Sequence, residues 1–546
     1  MLDVGVDSSE HFLRLWHAWQ SDPRRPRMLH YVAVCPSGLK NQISDDELRP
    51  LADELDEQLW GLLPGFHRLV FENDQVLLTI CVGDVQTVLK QQQFEVDSVF
   101  LNPTAIAAAD TLNTIKAIAR LCRRGTTLTT SHGVAMQSEL KQCGFETARS
   151  DALQAVYNPS WEAKKSLPAI KPTTCVVIGA GLAGAAVASS LARRGWAVAV
   201  LDTASQPASG ASSLPVGLLV AHTSPDDSPL SRLSRAGVRI TLQQARSVLK
   251  HGADWGHTGV LQRSFDGDSQ PLPPAWASSQ QQAARHWCYS ASPRTLAAAG
   301  LPPDTIALWH AQAGWVKPAA LVKAWLAAEN TAGSIEWRGD TQAAQLQPSG
   351  GGWQVLGAAG NLLAQADLVV ISAGYASQAL AVASGAASPD LQAIRGQVTF
   401  GLQSDSSKLP PFPVNGNGGL LSSIPAPDGP MWLMGASYER DVDLPNLKQQ
   451  DHEDNLTRLQ TLLPQAAAAL TSQFSPEKAR GWAGIRCATP KRLPCVMPLQ
   501  TPNPAWLCTG MGSRGLSFAA LCAELLAARL HAEPLPVELA LAKQLC

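Results

Sequence analysis

Between Cys175 and Asp202 the chain reads CVVIGAGLAGAAVASSLARRGWAVAVLD: a short β-branched apolar run, a Gly-rich turn, a helix of small residues, a second apolar run and an acid. Gly179, Gly181 and Gly184 keep the G-x-G-x-x-G spacing directly after the first run, which predicts a buried parallel strand from Cys175 to Ile178 feeding a phosphate-binding turn. Gly179 permits the tight turn, Gly181 lets backbone approach a pyrophosphate, and Gly184 lets the helix pack closely on the strand. The helix expected over Leu182 to Arg194 aims its N-terminal N–H groups and the positive end of its dipole at the phosphates. Gly195 stops it, a second strand is expected from Trp196 to Leu201, and Asp202, about 20 residues on, offers an acceptor to a ribose hydroxyl. The acid suits an unphosphorylated ribose.

At 546 residues the chain is too long for one core, so two or three domains are expected. Hydrophobic residues at 45% and charged ones at 16% are ordinary for globular proteins. A formal net charge of -2 gives no global attraction to nucleic acid or membrane, so any such partner needs a local patch. The 11 cysteines are scattered, odd in number and without a C-x-x-C pair, which points to reduced thiols and against a disulfide framework or a zinc site. His11, His67 and His222 have no ligand spacing around them, so no metal is expected. With no signal peptide and no apolar run near 18 residues, a cytoplasmic protein with no membrane contact is expected.

In chain order, residues 1 to about 160 alternate strand-like runs (His30 to Val34, Val76 to Val82, Ser98 to Leu101, Thr126 to Thr130) with helical patterns (Glu10 to Trp19, Asp110 to Arg123), as in a small α/β domain. Asn158 to Thr173, with Pro159, Pro168, Pro172, Lys164 and Lys165, looks like a linker. The loop Pro207 to Gly217, PASGASSLPVG, offers N–H groups around Ala211 and Ser212 to a second phosphate or a ribityl group, or is a plain surface loop. Leu230 to Leu249 looks helical, and residues 251 to 360 suit an antiparallel substrate domain. Asp367 to Gly374 reads as a third strand of the nucleotide domain, ending at Gly374. Trp506 to Thr509, the turn Gly510 to Gly515 and the helix Leu516 to Leu530 repeat the strand, glycine turn, helix logic. Gly512, Ser513, Arg514, Gly515 and Leu516 would meet the other half of a long cofactor. A dinucleotide fold split by a large insertion fits FAD better than NAD, because a flavin needs a second domain over its ring. The expected split assigns 174–250, 365–400 and 480–546 to the nucleotide-binding part, and 251–364 and 400–480 to the substrate part.

From about 173 to 546 the chain resembles the glycine oxidase, sarcosine oxidase and D-amino-acid oxidase group. Within that group GWVKPAALVKAWL (Gly314 to Leu326), IRGQV (Ile394 to Val398), GASYERD (Gly435 to Asp441), GIRCATPKRLP (Gly484 to Pro494) and GSRGLSFAALCAELLA (Gly512 to Ala527) resemble the MnmC family of tRNA modification proteins. Residues 1–158 resemble that family's S-adenosylmethionine-dependent methyltransferase domain through HFLRLWHAW, LPGFHRL, VGDVQTVL and CGFETA. There the Gly-rich donor loop of the family keeps only Gly5, with Asp7 and Ser9 at the other two glycine positions. Cys35 replaces the ribose-binding acid, Asp84 is kept, and Asn102-Pro103-Thr104-Ala105-Ile106 stands for the family's Asp-Gly-Phe-Ala-Pro. The chain begins at this loop, so the strand before it is expected to be missing. A Cβ at the glycine positions blocks close backbone approach, and the resemblance therefore implies a methyltransferase-like domain that no longer uses S-adenosylmethionine. In the flavin half, Thr489 and Pro494 of the group's T-x-D-x-x-P pattern are kept, with Lys491 at the acidic position and Met497 where a glycine is usual.

The substrate the resemblance implies is the carboxymethylaminomethyl group of a tRNA wobble uridine, an N-substituted glycine, with a small oxidant such as O2 as electron acceptor and the protein a monomer. Arg486 is the expected carboxylate anchor, since a guanidinium holds a carboxylate bidentately. Arg395 and Gln397 line the flavin ring or belong to a structural turn, and Arg514 serves cofactor or RNA. Three functions remain open: an FAD-dependent oxidoreductase of tRNA, an FAD-dependent oxidase of free small amino acids or secondary amines, and a non-catalytic tRNA-binding protein. The basic pairs, Lys491-Arg492 among them, read as solvated charge or phosphate contacts.

Overall fold

A computed structural model describes residues 1–546 except 42, 44, 131–135, 148–152, 163–168, 266–271, 329–332, 405–407 and 546. Lys164, Lys165 and Pro168 of the expected linker lie outside the described residues. The chain forms two units, Met1–Lys171 with Glu524–Gln544, and Pro172–Ala523 with the last two residues.

The first unit is built on eight strands: β1 (Leu2–Val4), β2 (Leu29–Cys35), β3 (Gly65–Phe71), β4 (Val76–Val82), β5 (Val96–Leu101), β6 (Cys122–Thr130), β7 (Phe145–Thr147) and β8 (Leu153–Tyr157). Their order is β3-β4-β2-β1-β5-β6-β8-β7. The run β4-β2-β1-β5-β6 is parallel, with antiparallel neighbours at both ends. Alternation along β2 shows why both faces are covered: Val32 and Val34 enter one core, while Tyr31, Ala33 and Cys35 enter the other. The expectation of a missing first strand is corrected here. Leu2–Val4 is that strand, pairing with Val32–Val34 on one side and Val99–Leu101 on the other at the centre of the sheet.

Glu524–Gln544 also belongs to this unit, against the expectation that all of 174–546 forms one domain. Pro534 O accepts from Arg68 Nη2 at 2.6 Å, and the backbone and side-chain oxygens of Gln91 accept from Leu539 and Ala540 N–H at 3.1 and 3.0 Å.

The second unit holds the dinucleotide fold. β9 (Thr174–Ile178) and β10 (Ala197–Leu201) pair in parallel. The six-stranded sheet runs Ser334–Arg338, β10, β9, Leu368–Ile371, Ala505–Thr509, Cys495–Pro498, with only the last strand antiparallel. Between β9 and β10 the helix Leu182–Arg193 is buried along its whole length, which its small residues allow. The expected division of this half shifts in two places. Ser334–Arg338, assigned to the substrate part, is an edge strand of the nucleotide sheet. Conversely, Gln392–Leu402 and Arg480–Ala488 pair with each other in the nine-stranded, largely antiparallel sheet, although both fell mostly in the nucleotide part. Among the described residues no cysteine forms a disulfide, and no helix is long and apolar enough to cross a membrane.

Candidate flavin and substrate site

The phosphate-binding turn has the geometry its glycines require. Gly179 sits at φ +106°, and a β-carbon there would fall 2.5 Å from the Ser372 carbonyl oxygen; one on Gly184 would overlap the carbonyl oxygen of Gly179. At Gly181 an added β-carbon would already meet Ser212 Oγ at 3.2 Å. That hydroxyl accepts the Leu182 N–H at 3.0 Å, so the loop Ala211–Ser213 folds back onto the start of the helix. Asp202 ends β10 beside the turn, its Oδ2 accepting the Ala180 N–H at 2.7 Å and its Oδ1 the Ala204 N–H at 2.9 Å.

The second glycine turn arrives at the same place. Gly512, at φ +58°, donates its N–H to Cys487 O at 2.7 Å. A β-carbon on Gly515 would lie 3.2 Å from Leu182 Cδ1, which brings the N-termini of the helices Leu182–Arg193 and Gly515–His531 side by side. Leu516 O accepts from Thr241 Oγ1 at 2.8 Å, and Gly374, at φ +58°, accepts from Thr509 Oγ1 at 3.0 Å. Gly179, Gly181, Gly184, Asp202, Ala211, Ser212, Gly374, Gly512, Gly515 and Leu516 are thus gathered around two helix N-termini. A dinucleotide fits between these two helix starts, where Gly179 and Gly184 permit the tight turn and close helix packing and a β-carbon on Gly512 would meet nothing nearer than Ala488 Cβ at 3.9 Å.

Next to the second turn lies a cavity of about 220 Å³, lined among others by Ile394, Tyr438, Arg440, Arg492, Ser513 and Arg514. Arg486 stands opposite Ile394 on the strand Arg480–Ala488, on the face of the sheet that Ile394 presents to the cavity. Its Nη1 donates to Ser437 O at 3.4 Å, and its guanidinium lies 6.0 Å from the Tyr438 ring centre. Among the described residues no carboxylate pairs with Arg486, and burial lowers its pKa from the usual arginine value. Arg514 is lowered by burial and, secondarily, by the charge of Arg492.

Arg395 and Gln397, expected to line the ring or to belong to a structural turn, lie outside this arrangement, on a strand. Residues alternate across a strand, so Arg395, Gln397 and Thr399 point away from the face shared by Ile394 and Arg486. Arg395 is fully buried, its Nη1 2.7 Å from Asp451 Oδ2 and its Nε donating to Asn446 O at 2.9 Å. Gln397 Oε1 accepts from Arg395 Nη2 at 2.9 Å and from the Lys448 N–H at 2.8 Å. These groups tie the strand Gln392–Leu402 to the segment from Asn446 to Asp451. Tyr438 and Arg440 were not among the expected site residues, and GASYERD, with one arginine between two acids, carries no basic signal; Arg492 was read only within the pair Lys491-Arg492, as solvated charge or a phosphate contact. His222, whose Nδ1 lies 2.9 Å from Ser231 Oγ, has its pKa held at about 4 by burial and, secondarily, by the charge of Arg514.

In the first unit, Gly5 sits at φ +81° with Ala105 Cβ 2.6 Å from where its own β-carbon would be. The adjoining loop is stitched to Lys40 and Asn41: Asp7 O accepts the Lys40 N–H at 2.8 Å, and the buried Ser9 donates Oγ–H to Asn41 Oδ1 at 2.7 Å. Cys35 is fully buried and burial pushes its thiol up, keeping it neutral. Asp84 caps the helix Val85–Lys90, accepting from the Thr87 N–H and hydroxyl at 2.9 and 2.7 Å. Asn102 Nδ2 donates to Gly5 O at 3.2 Å. No group of His, Cys, Asp and Glu side chains suited to a metal occurs among the described residues.

Fold and site together define an FAD-dependent oxidoreductase. The family model for FAD dependent oxidoreductases matches residues 174–529, and that for S-adenosyl-L-methionine-dependent methyltransferases matches residues 46–154. The chain is 50% identical to the tRNA 5-methylaminomethyl-2-thiouridine biosynthesis bifunctional protein MnmC of Polaromonas naphthalenivorans strain CJ2, across 99% of this chain and 88% of that protein. It is also 50% identical to the protein of the same name from Polaromonas sp. strain JS666, across 100% of this chain and 90% of that one. This chain belongs to the MnmC family. Among solved structures, glycine oxidase from Geobacillus kaustophilus shares the fold, with a TM-score of 0.53 and 20% identity over 67% of this chain and 96% of that one.

Proposed function

We propose that the protein oxidises the carboxymethylaminomethyl group of a tRNA wobble uridine, converting 5-carboxymethylaminomethyl-2-thiouridine to 5-aminomethyl-2-thiouridine in the cytoplasm. Family membership supports tRNA as substrate. The observation that carries the chemistry is Arg486, a half-buried guanidinium beside the cavity with no carboxylate partner among the described residues. A buried cation without a counter-ion is costly, and a bound carboxylate would satisfy it. Bound flavin supplies the two-electron acceptor for the hydride leaving the glycine α-carbon. Arg486 holds the carboxylate and so fixes that α-carbon relative to the cradle around Gly181 and Gly512. The secondary amine becomes an imine as the hydride and a proton leave; water then cleaves it to glyoxylate and the aminomethyl uridine, with O2 as the terminal oxidant. Incubating holoprotein with tRNA carrying the carboxymethylaminomethyl group and analysing the nucleosides by mass spectrometry should show loss of the carboxymethyl group. Consumption of free glycine or sarcosine with the tRNA untouched would move the assignment to a free amino-acid oxidase.

We further propose that the first unit does not transfer methyl groups. Support comes from the donor loop, where Asp7 and Ser9 carry side chains at glycine positions and are tied to Lys40 and Asn41, and from Cys35, a neutral buried thiol where a ribose acceptor is needed.

A further inference from the structure

Arg440, Arg492 and Arg514 line one cavity, and its lining contains no acidic residue. Arg440 and Arg492 are exposed at its rim, and Arg514 is half-buried. Among the described residues no carboxylate pairs with Arg440 or Arg492; the neighbour of Arg440 is the ring of Tyr438, 5.9 Å from its guanidinium. Of the two acids adjacent in sequence, Glu439 is engaged by Lys448 Nζ at 2.8 Å and by Arg395 at 3.3 Å, and Asp441 is not part of the cavity lining. Three like charges around one space repel one another, and Arg514 feels Arg492 directly. Arg492 also holds a left-handed backbone, φ +58°, in a turn closed by its N–H to Thr489 O at 3.0 Å. A non-glycine residue there is strained, so local stability does not explain the side chain.

We propose that Arg440 and Arg492 clamp a phosphodiester of the RNA at the mouth of this cavity, so that a nucleotide, and not a free amino acid, is delivered to Arg486. A guanidinium pair without a counter-ion suits a phosphate, whose oxygens each accept from the guanidinium fork. The clamp rests on the proposed tRNA substrate, and it supplies the local basic patch that a chain of net charge -2 needs to bind RNA.

The test is binding of an unmodified anticodon stem–loop RNA to the FAD-loaded full-length protein, by fluorescence anisotropy over a range of salt concentrations. Because no turnover is involved, its failure is separable from failure of the oxidation reading. R440Q and R492Q should each weaken binding roughly 3- to 10-fold and reduce the log–log salt slope by about 0.7 to 1, as expected for one lost phosphate contact. R492G should do the same while melting no lower than wild type, since glycine suits the left-handed turn. K491Q, which alters the exposed neighbour outside the cavity lining, should leave the slope closer to wild type. Unchanged slopes for R440Q and R492Q, or an equal loss in K491Q, would overturn the clamp. So would intact RNA binding together with a raised KM for free N-methylglycine, which would make the cavity a carboxylate site.

Discussion

The guanidinium of Arg486 lies across Gly396: a β-carbon on Gly396 would fall 2.5 Å from Arg486 Cζ. Gly396 faces Gly484 in the strand pair; the arginine occupies the space that a side chain at Gly396 would need, and the Trp482 ring occupies that at Gly484. The obstructed atoms are the far end of a flexible side chain. Gly396→Ala should therefore keep the fold and the flavin but displace the guanidinium. The expected outcome is near-normal flavin absorbance and melting temperature with turnover on tRNA reduced at least tenfold. Full activity in that variant would remove Arg486 from its proposed role.

Direct removal should cost more. Arg486→Ala takes away a charged contact proposed to position the reacting carbon, a loss on the order of 2–5 kcal/mol, or roughly 30- to several-thousand-fold in kcat/KM. Arg486→Lys keeps the charge but loses the bidentate fork and should recover only part of the rate. Steady-state kinetics with FAD content measured in parallel separates this from cofactor loss.

Gly181→Val should abolish flavin binding. A β-carbon at this position already meets Ser212 Oγ at 3.2 Å, and that hydroxyl is the acceptor for the Leu182 N–H. The two branches of valine would enter the space where backbone must approach the pyrophosphate. Purified variant protein should be colourless; a normal flavin spectrum would reassign the turn.

Much of the nucleotide fold was legible because its signals are local. Strand, glycine turn, helix and terminal acid succeed one another within Cys175 to Asp202, and each glycine has a steric reason visible in the spacing. What escaped depends on partners far away in sequence. Leu2–Val4 is too short to announce a strand, and becomes one only by lying between Val32–Val34 and Val99–Leu101. Arg395 and Gln397 sit in a motif that reads as ring-lining, but strand register turns them away from Arg486, toward Asn446, Lys448 and Asp451. The cavity rim combines Arg440, on the short strand Glu439–Arg440, with Arg492, in a turn some fifty residues further along.

His310 should make the second unit sensitive to acid. It is fully buried, with Nε2 2.8 Å from Gln262 Oε1 and 3.9 Å from Cys288 Sγ, and burial lowers its pKa to about 4. The unfolded chain takes up a proton near pH 6.5 while the folded one does not, so stability falls as the pH drops from about 6.5 toward 4 and is regained on raising it. The whole window corresponds to about 3 kcal/mol for this one group. His310→Gln should flatten the fall in melting temperature between pH 6.5 and 4.5 relative to wild type; an unchanged profile would mean the imidazole is protonated in the fold.

The first unit should not bind S-adenosylmethionine, and the reason lies in its loop and not in its sheet. With Leu2–Val4 in place the strand framework of a donor site is present, so the obstacle is the loop leading out of that strand. Gly5 keeps the left-handed turn, but the next two glycine positions are Asp7 and Ser9, and the backbone that would face a donor is engaged: Asp7 O and the Ser9 N–H bond to the backbone of Lys40. Ser9 is fully buried with its hydroxyl on Asn41, so freeing it would expose two polar groups that are now satisfied. At the end of the neighbouring strand Cys35 offers a neutral thiol where a ribose diol needs a carboxylate, and Asn102 spends its amide on Gly5 O. Each defect weakens donor binding separately, and together they should leave no measurable heat on calorimetric titration with S-adenosylmethionine. In a reaction with donor present, tRNA should stop at the aminomethyl stage. Micromolar binding, or methylaminomethyl uridine among the products, would show that this loop rearranges to admit the donor.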